Sequence, residues 1–220
     1  MNKVKRTVKV IQSALIERLF NKQAGYMTVE SADLADIIVF PGGADVNPAY
    51  YGQDKHPTTH TNGFDDQRDD RYWKQYSKDE KRMLVGICRG GQFLNVMNGG
   101  QMWQDVNNHG IHGTHKVIDL LNDKEIQCTS THHQMMVANE KEGEVIGIAY
   151  EATRWENDKL RLAIQNQDNP TKRTGSCPKY DTEVVWYPKT RSLCFQPHPE
   201  NYNAPDECKD YFFDLIDRLI

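Results

Sequence analysis

The chain has 220 residues, of which 38% are apolar and 26% charged, and its formal net charge is −4. These values are typical of a soluble globular chain that can bury one sizeable core. Because it has no long apolar run, no signal-peptide pattern and no basic run or basic helix face, we expect a cytoplasmic protein that binds neither membranes nor nucleic acid.

Five cysteines are scattered along the chain, and no two of them form a C-x-x-C pair. An odd number without paired spacing predicts neither a disulfide framework nor a zinc ribbon. The five are Cys88, Cys128, Cys177, Cys194 and Cys208. Only Cys88 has neighbours that point to chemistry, so we interpret the other four as structural.

Short apolar runs alternate with helical stretches through the first hundred residues. The β-branched runs predict strands, and Ser13 in front of an apolar helical period predicts a capped helix. A segment rich in Pro, Gly and Asn predicts a long loop, and such loops are usually functional. The predicted elements are strands over 7–12, 35–40 and 83–87, helices over 13–25, 65–82 and 91–99, and the loop over 41–63.

The second half adds further apolar runs and ends in an amphipathic helix. Its predicted strands cover 115–120, 124–130, 144–151 and 161–167, a hairpin-like pair covers 182–188 and 191–197, and the helix covers 206–220. Alternation of strands and helices predicts an α/β fold with a mostly parallel sheet between helices, and its functional site at the carboxyl ends of the strands. With no linker or repeat, we expect a single domain over 1–220.

Residues 85–93, VGICRGGQF, place Cys88 between a buried strand and a helical stretch. Glycines on both sides predict a nucleophile elbow, in which the strand ends, the nucleophile occupies a sharp turn and a helix begins at once. A helix N-terminus favours the thiolate form of such a cysteine. The amide of Arg89 should then face a forming oxyanion, and the pair Gly42 and Gly43 is placed to supply a second donor.

A thiolate nucleophile needs a base and a group that orients the base. The segment FQPHPE supplies both, because His198 lies between two prolines and Glu200 is two residues further on. In an extended chain their side chains share one face, so the carboxylate can hold the imidazole in one tautomer. We therefore predict a triad of Cys88, His198 and Glu200.

These motifs resemble the class I glutamine amidotransferase superfamily, whose elbow reads G-x-C-x-G-x-Q and whose late motif is H-x-E. Within it, the chain is most similar to the γ-glutamyl hydrolase branch, which includes the γ-glutamyl-γ-aminobutyrate hydrolases. The matching segments are GICRGGQ, HPE, PGGADVNPAYYG, DDQRD, NGGQMWQDV and STHHQ, in ordered positions from residue 41 to residue 200.

The resemblance implies a flavodoxin-like three-layer α/β/α fold and no cofactor. It also implies that Cys88 attacks the side-chain amide of a γ-glutamyl group, forming a thioester that water then cleaves. The implied oxyanion donors are the amides of Gly43 and Arg89. The implied substrate-binding groups are Gln92 and the backbone near Ser130, Thr131 and His132.

Two function classes stay open. The first is a hydrolase that cleaves small γ-glutamyl amides without a partner, and the match of two motifs to the hydrolase branch favours it. The second is a glutaminase subunit that acts on glutamine and delivers ammonia to a separate synthetase. A non-catalytic binding module would require a damaged triad, and all three members are present. An exposed face of the last helix is compatible with a homodimer.

Several residues have simpler interpretations. Gln92 could be a helix-surface residue, and Arg68 with Asp69 could be a solvated ion pair on a helix. The histidines His109, His112 and His115, together with the pair at 132–133, raise the question of a metal cluster. Since glycines separate the first three and no metal-binding motif surrounds them, we expect no metal site.

Overall fold

The computed structural model describes residues 5–106, 109–110, 113–149 and 180–220. The strand predicted over 161–167, the end of the one predicted over 144–151, Cys177 and His112 lie outside this range. The described helices are α1 (Ala14–Lys22), α2 (Gly63–Tyr76), α3 (Arg89–Met97) and α4 (Asp206–Leu219). The described strands are β1 (Arg6–Val10), β2 (Tyr26–Thr28), β3 (Ile37–Phe40), β4 (Met83–Ile87), β5 (Gln101–Trp103), β6 (Gly113–Asp119), β7 (Lys124–Ser130), β8 (Met135–Val137), β9 (Glu144–Ala149), β10 (Asp181–Tyr187) and β11 (Ser192–Phe195).

All of these strands join one sheet, with the order β2-β1-β3-β4-β11-β10-β9-β6-β7. The first five strands of that order run parallel to one another. The remaining strands pair antiparallel, and the short β5 and β8 attach to the sheet through β10. Strands β1, β3 and β4 come from the predicted strand and helix alternation, and β11 is the second strand of the predicted hairpin-like pair. The parallel half carries the candidate site.

Helices cover both faces of the parallel half, which gives the three predicted layers. Successive side chains of β3 point to opposite faces, and all four are fully buried. Ile37 and Val39 lie in a core with α1 and α4, whereas Ile38 and Phe40 lie in a second core with α2 and α3. Strands covered on both faces need apolar residues at every position, which explains the continuous apolar runs in the sequence.

Most predicted elements are confirmed within a few residues of their bounds. Ser13 caps α1, since its hydroxyl accepts a hydrogen bond from the Ile16 amide. Helix α2 begins two residues earlier than predicted because the Asn62 side chain accepts a hydrogen bond from the Phe64 amide. Strands β2, β5 and β8 were not predicted, because three residues are too few to display an apolar period.

Helix α4 contacts strands from both ends of the sheet order. The Asp217 carboxylate accepts a hydrogen bond from the Tyr26 hydroxyl of β2 at 2.7 Å. The neighbouring Arg218 donates to the side chain of Asn122, in the turn between β6 and β7, at 3.0 Å. Both edges of the sheet therefore approach one end of α4, which requires the twist that sheets of this size develop. None of the described helices is long and apolar enough to cross a membrane.

Candidate active site

Three neighbouring parallel strands end at the same edge of the sheet, and each leads directly into a predicted site segment. Strand β3 leads into Gly42 and Gly43, β4 leads into Cys88, and β11 leads into His198. Because β3, β4 and β11 lie side by side, their carboxyl ends meet. This adjacency brings together residues that are more than a hundred positions apart in the chain.

Cys88 occupies the predicted elbow between β4 and α3. Its φ of 49° and ψ of −111° lie outside the regions that side-chain-bearing residues usually adopt. A hydrogen bond of 2.8 Å from its amide to the Phe195 carbonyl holds this backbone in place. A Cβ atom on Gly86 would overlap the backbone of Gly90, and one on Gly90 would overlap the Phe40 carbonyl, so the turn requires both glycines. The predicted elbow geometry is therefore present.

His198 and Glu200 form the predicted pair. The His198 Nδ1 and a Glu200 carboxylate oxygen are 2.7 Å apart, and both side chains are largely buried. The His198 amide donates to the Thr129 hydroxyl at 2.6 Å, which anchors the backbone behind the ring. On the other side, Gly42 leaves room for the imidazole, since a Cβ atom there would lie 2.8 Å from its Cε1. Glu200 thus orients the ring, Thr129 anchors its backbone, and Gly42 leaves the space that the ring occupies.

The environment of His198 favours its protonated form. Burial alone would favour the neutral ring, but the Cys88 sulfur and the Glu200 carboxylate together raise the pKa of His198 to about 11 from its ordinary value of 6.5. Both groups act on the same imidazole, through hydrogen bonds and through charge. The arrangement can therefore hold an imidazolium beside the sulfur at neutral pH.

A glutamine that the sequence interpretation missed also contacts the sulfur. The Gln196 side-chain amide lies 3.5 Å from the Cys88 Sγ and accepts a hydrogen bond from Gln92 at 3.2 Å. Gln92 is buried and also donates to the Gln134 carbonyl, so it is not a helix-surface residue. The run FQPHPE contained the signal for Gln196, since it lies two residues before the predicted base.

The two predicted oxyanion donors follow the carboxyl ends of two neighbouring strands. Gly43 follows β3, and Arg89 begins α3 directly after the nucleophile. Within the described part of the chain, neither amide makes a backbone hydrogen bond outside the regular elements. Their role as oxyanion donors stays a prediction.

The Arg89 side chain turns away from the sulfur and enters a buried ion network. It pairs with Asp66 at 2.6 Å and with Asp69, and its Nε donates to the Ala44 carbonyl at 3.2 Å. Arg68 also pairs with Asp69, at 2.8 Å. The interpretation of Arg68 and Asp69 as a solvated pair is wrong, because the Asp69 side chain is fully buried. Ion pairs from the DDQRD motif therefore link α2 to the elbow.

The predicted substrate-binding residues at the end of β7 differ in burial: the side chains of Ser130 and His132 are buried, and that of Thr131 is partly accessible. The Ser130 hydroxyl donates to the His109 carbonyl at 2.8 Å and is fully buried. Thr131 is only partly buried, and its hydroxyl has no hydrogen-bond partner among the described residues. The His132 ring points inward, and burial lowers its pKa to about 3, so this ring does not provide a positive charge for a substrate carboxylate. The role predicted for the backbone at these three positions stays a prediction.

Three histidine rings meet in the interior, two of them from the group 109, 112 and 115, whose spacing gave no reason to expect a shared face. His109, His115 and His132 surround the carboxylate of Glu183, and all four side chains are buried. His133 differs from its neighbour, because its ring is partly exposed and lies 3.2 Å from Asp45. The fold, and not the local spacing, brings the three rings together, since they come from different strands and loops.

Comparison with known proteins gives consistent matches. The sequence profile of the peptidase C26 family matches residues 6–200. A Schizosaccharomyces pombe protein named as a glutamine amidotransferase is 28% identical over 153 residues, which cover 60% of this chain and 57% of that protein. A Lactococcus lactis protein named as glutamine amidotransferase-like is 29% identical over 175 residues, covering 71% of this chain and 66% of that protein. The chain thus spans less than two thirds of either relative.

Solved structures share the fold. A Thermoplasma acidophilum protein named as one of the subunits of a GMP synthase superposes with a TM-score of 0.61 at 15% identity, covering 98% of this chain and 94% of that one. At this identity the likeness concerns the fold alone. It agrees with the three-layer arrangement described above.

Proposed function

This chain belongs to the peptidase C26 family, within the predicted class I glutamine amidotransferase superfamily, and we propose that it is a cysteine hydrolase that cleaves the γ-glutamyl amide bond of a small γ-glutamyl compound. The products are glutamate and an amine. Membership of the family supports the coarser class, a cysteine-type amidohydrolase or amidotransferase. The finer proposal rests on Cys88, His198 and Glu200 as the catalytic triad.

The observation that carries the proposal is the meeting of the elbow sulfur with an imidazole that the Glu200 carboxylate orients at 2.7 Å. In the first half-reaction the Cys88 thiolate attacks the carbonyl carbon of the γ-glutamyl amide, and the carbonyl oxygen takes the electron pair. The amides of Gly43 and Arg89 donate hydrogen bonds to this oxyanion. As the intermediate collapses, the C–N bond breaks and the amine leaves with a proton from His198. A γ-glutamyl thioester remains.

The second half-reaction uses the same groups in reverse. His198, now neutral, takes a proton from water, and the resulting hydroxide attacks the thioester carbonyl. The C–S bond breaks and the sulfur leaves as the thiolate, which restores the starting ion pair. Glu200 keeps the imidazole in the required orientation throughout. Gln196, at 3.5 Å from the sulfur, is placed to donate a hydrogen bond to each thiolate state.

A second candidate is supported by the relatives, which are named as glutamine amidotransferases. In that case the substrate is glutamine, the amine is ammonia, and a separate synthetase receives it. The chemistry at Cys88 is identical, so the two candidates differ only in the leaving group and in the need for a partner.

One experiment tests the triad and separates the candidates. Purified protein is given a panel of γ-glutamyl amines and glutamine, and released glutamate is measured by mass spectrometry. We expect turnover of the amines without a partner. Glutamine turnover alone would favour the second candidate, and an inactive protein that no partner activates would contradict both.

Two cysteine variants provide the matched comparison. Cys88→Ala should abolish glutamate release, whereas Cys194→Ala, at a buried thiol in β11, should retain it. A glutamine-like electrophile should add mass at Cys88 and at no other cysteine. Persistent hydrolysis by Cys88→Ala would rule out this nucleophile.

We further propose that the protein works in the cytoplasm. Four cysteines of the described residues are free thiols, and a reducing compartment keeps thiols in that state. Measuring the thiol content of protein isolated from cells would test this, since oxidised pairs would contradict it.

A further inference from the structure

Four buried side chains outside the triad converge on one point in the antiparallel half. We call them the histidine cluster: His109 before β6, His115 in β6, His132 after β7 and Glu183 in β10. None is more than 4% exposed, and one potential ligand atom from each lies within 4.8 Å of all the others. Imidazole nitrogen and carboxylate oxygen are the donor types that bind divalent transition metals.

The spacing of the donor atoms fits a bound ion better than direct hydrogen bonds. The Glu183 Oε1 lies 3.5 Å from His109 Nδ1 and 3.6 Å from His132 Nε2, and its Oε2 lies 3.4 Å from His115 Nε2. A good hydrogen bond between nitrogen and oxygen is shorter, at about 2.7–3.2 Å. Ligands about 2.1 Å from a tetrahedrally bound ion are about 3.4 Å from one another. The separations from Oε1 to His109 and His132 therefore match two edges of a tetrahedral site, and Oε2 lies at a similar distance from His115.

The outer sides of two rings face acceptors, and for His132 the acceptor fixes the tautomer. His132 Nδ1 lies 2.9 Å from the Gln134 carbonyl, and a carbonyl can only accept, so the proton is on Nδ1. His109 Nε2 faces the Asp181 carboxylate at 3.3 Å. The lone pair of His132 Nε2 consequently points toward Glu183, and His109 Nδ1 faces the same carboxylate. Metal-binding histidines characteristically have this outer carbonyl or carboxylate partner.

Lone pairs that face a buried carboxylate repel it unless a cation lies between them. A single proton can form a hydrogen bond between the carboxylate and one imidazole, but it cannot form one with all three rings at the same time. A divalent ion can contact all four donors at once.

We propose that the histidine cluster binds one divalent transition-metal ion, Zn²⁺ by its tetrahedral preference, in a closed structural site. Three histidines and one glutamate complete four-fold coordination from the protein alone, which is typical of structural sites and leaves no open position for catalysis. The ion would join β6, β10 and the segment after β7. The inference does not depend on the proposed hydrolase activity.

The site lies behind the candidate active site. The backbone carbonyl of Glu183 accepts a hydrogen bond of 2.8 Å from the amide of Gln196, whose side chain contacts the Cys88 sulfur. Fixing Glu183 therefore also fixes Gln196. A bound metal ion would therefore hold Gln196 in place in the candidate active site, although the ion itself would not contact the substrate.

The test measures metal content in the purified full chain by mass spectrometry of the elements. We expect about one equivalent of zinc in protein produced with zinc supplied, and a gain in Tm when Zn²⁺ is added to protein refolded with a chelator. Co²⁺ substituted for Zn²⁺ should give the intense visible absorption of a tetrahedral site. Less than a tenth of an equivalent of any transition metal, together with no response of the Tm to added Zn²⁺, would overturn the proposal.

Variants separate the cluster from its surroundings. Glu183→Gln and His132→Ala should each lower zinc content by about tenfold or more. The matched control is His133→Ala, because His133 is adjacent in sequence and partly exposed. Cys88→Ala should retain the metal, so loss of hydrolysis and loss of metal are distinguishable. If a cluster variant fails to fold, the metal content and Tm response of the unmodified protein still decide the question. Equal zinc in Glu183→Gln, His132→Ala and the unmodified protein would contradict the assignment.

Discussion

Cys88 combines an unusual backbone conformation with the most important side chain of the candidate site. A φ of 49° with ψ of −111° costs a side-chain-bearing residue about 1–3 kcal/mol. The surrounding structure holds it there, through the hydrogen bond to Phe195 and the close packing of Gly86 against Gly90. The conformation belongs to the turn between β4 and α3, where the side chains of Gln196 and His198 reach the sulfur.

Gly42 is predicted to be essential because of the space that it leaves for the base. In Gly42→Ala the new methyl group would lie 2.8 Å from the His198 Cε1, so the imidazole must shift. A shift of about 1 Å at a catalytic group can reduce the rate of the catalysed reaction by about a hundredfold. Steady-state kinetics of glutamate release, with circular dichroism to verify folding, would measure the effect.

Gly63→Ala is the matched control, because a Cβ atom there has no neighbour within 4 Å. This variant should keep full activity. Equal activity of both variants would mean that the ring does not need its observed position.

The raised pKa of His198 predicts a dependence of stability on pH. Burial opposes the charge, but Cys88 and Glu200 raise this pKa to about 11 from 6.5. A raised pKa stabilises the folded state fully below the unfolded value, and this contribution is lost as the pH rises through the folded value. The stabilisation is therefore complete below about pH 6.5 and declines toward pH 11.

The measurement compares denaturant unfolding of the unmodified protein and of His198→Gln. Between about pH 7 and pH 9 the free energy of unfolding should fall by about 1–3 kcal/mol more in the unmodified protein. Parallel curves for the two proteins would show that His198 does not titrate in this way.

Helix α2 contributes to the site through buried charge. Arg89 is neutralised by Asp66 and Asp69, and the three side chains are almost fully excluded from water. Asp69→Ala leaves the buried guanidinium with one partner, so we expect a loss of about 3 kcal/mol in the free energy of unfolding. Chemical denaturation would measure this loss.

The adjacent residue provides the control for this substitution. Asp70 pairs with the exposed Lys74 one helical turn further on, and such surface pairs contribute about 0.3–0.5 kcal/mol. Asp70→Ala should therefore change stability little. Similar losses in the two variants would mean that burial of the Asp69 pair has no special energetic role.

Helices and strands were predictable where a local pattern of apolar residues is enough to define them. Strand β4 has its predicted bounds, 83–87, because a strand buried on both faces is apolar throughout. The three-residue strands β2, β5 and β8 could not be predicted, since their pairing depends on partners distant in sequence. Local patterns also did not separate the parallel half from the antiparallel half, because the strands of both halves use the same β-branched residues.

The candidate site was predictable to a similar extent. The elbow and the H-x-E pair are local motifs, and the structure brings them to one edge of the sheet. Gln196, the Arg89 network and the histidine cluster depend on which strands become neighbours. Glu183, for example, reads as one polar position in the apolar run of β10, and nothing near it in the chain indicates three histidines.

Helix α4 stabilises the molecule as a whole, because it packs against the parallel half and reaches the outer strands. The Phe212 ring is fully buried and lies 5.1 Å from the ring of Phe195 and 5.9 Å from that of Phe20. Phe212→Ala would leave a cavity between α1, α4 and β11, and such truncations cost about 3–5 kcal/mol. Thermal unfolding would measure the loss.

Tyr202 is the aromatic control, because its side chain is fully exposed. Tyr202→Ala should leave the Tm nearly unchanged. A small effect of Phe212→Ala, similar to that of this control, would contradict a central role for the α4 face.

The position of α4 late in the chain has a consequence for biosynthesis. Residues 206–219 are among the last described residues to leave the ribosome, so the apolar face that they cover stays open while the sheet is being made. Nascent chains arrested before residue 206 should recruit chaperones and be cut readily by protease, whereas chains that extend beyond α4 should resist. Equal protease resistance of the two would indicate that the sheet closes before the helix docks.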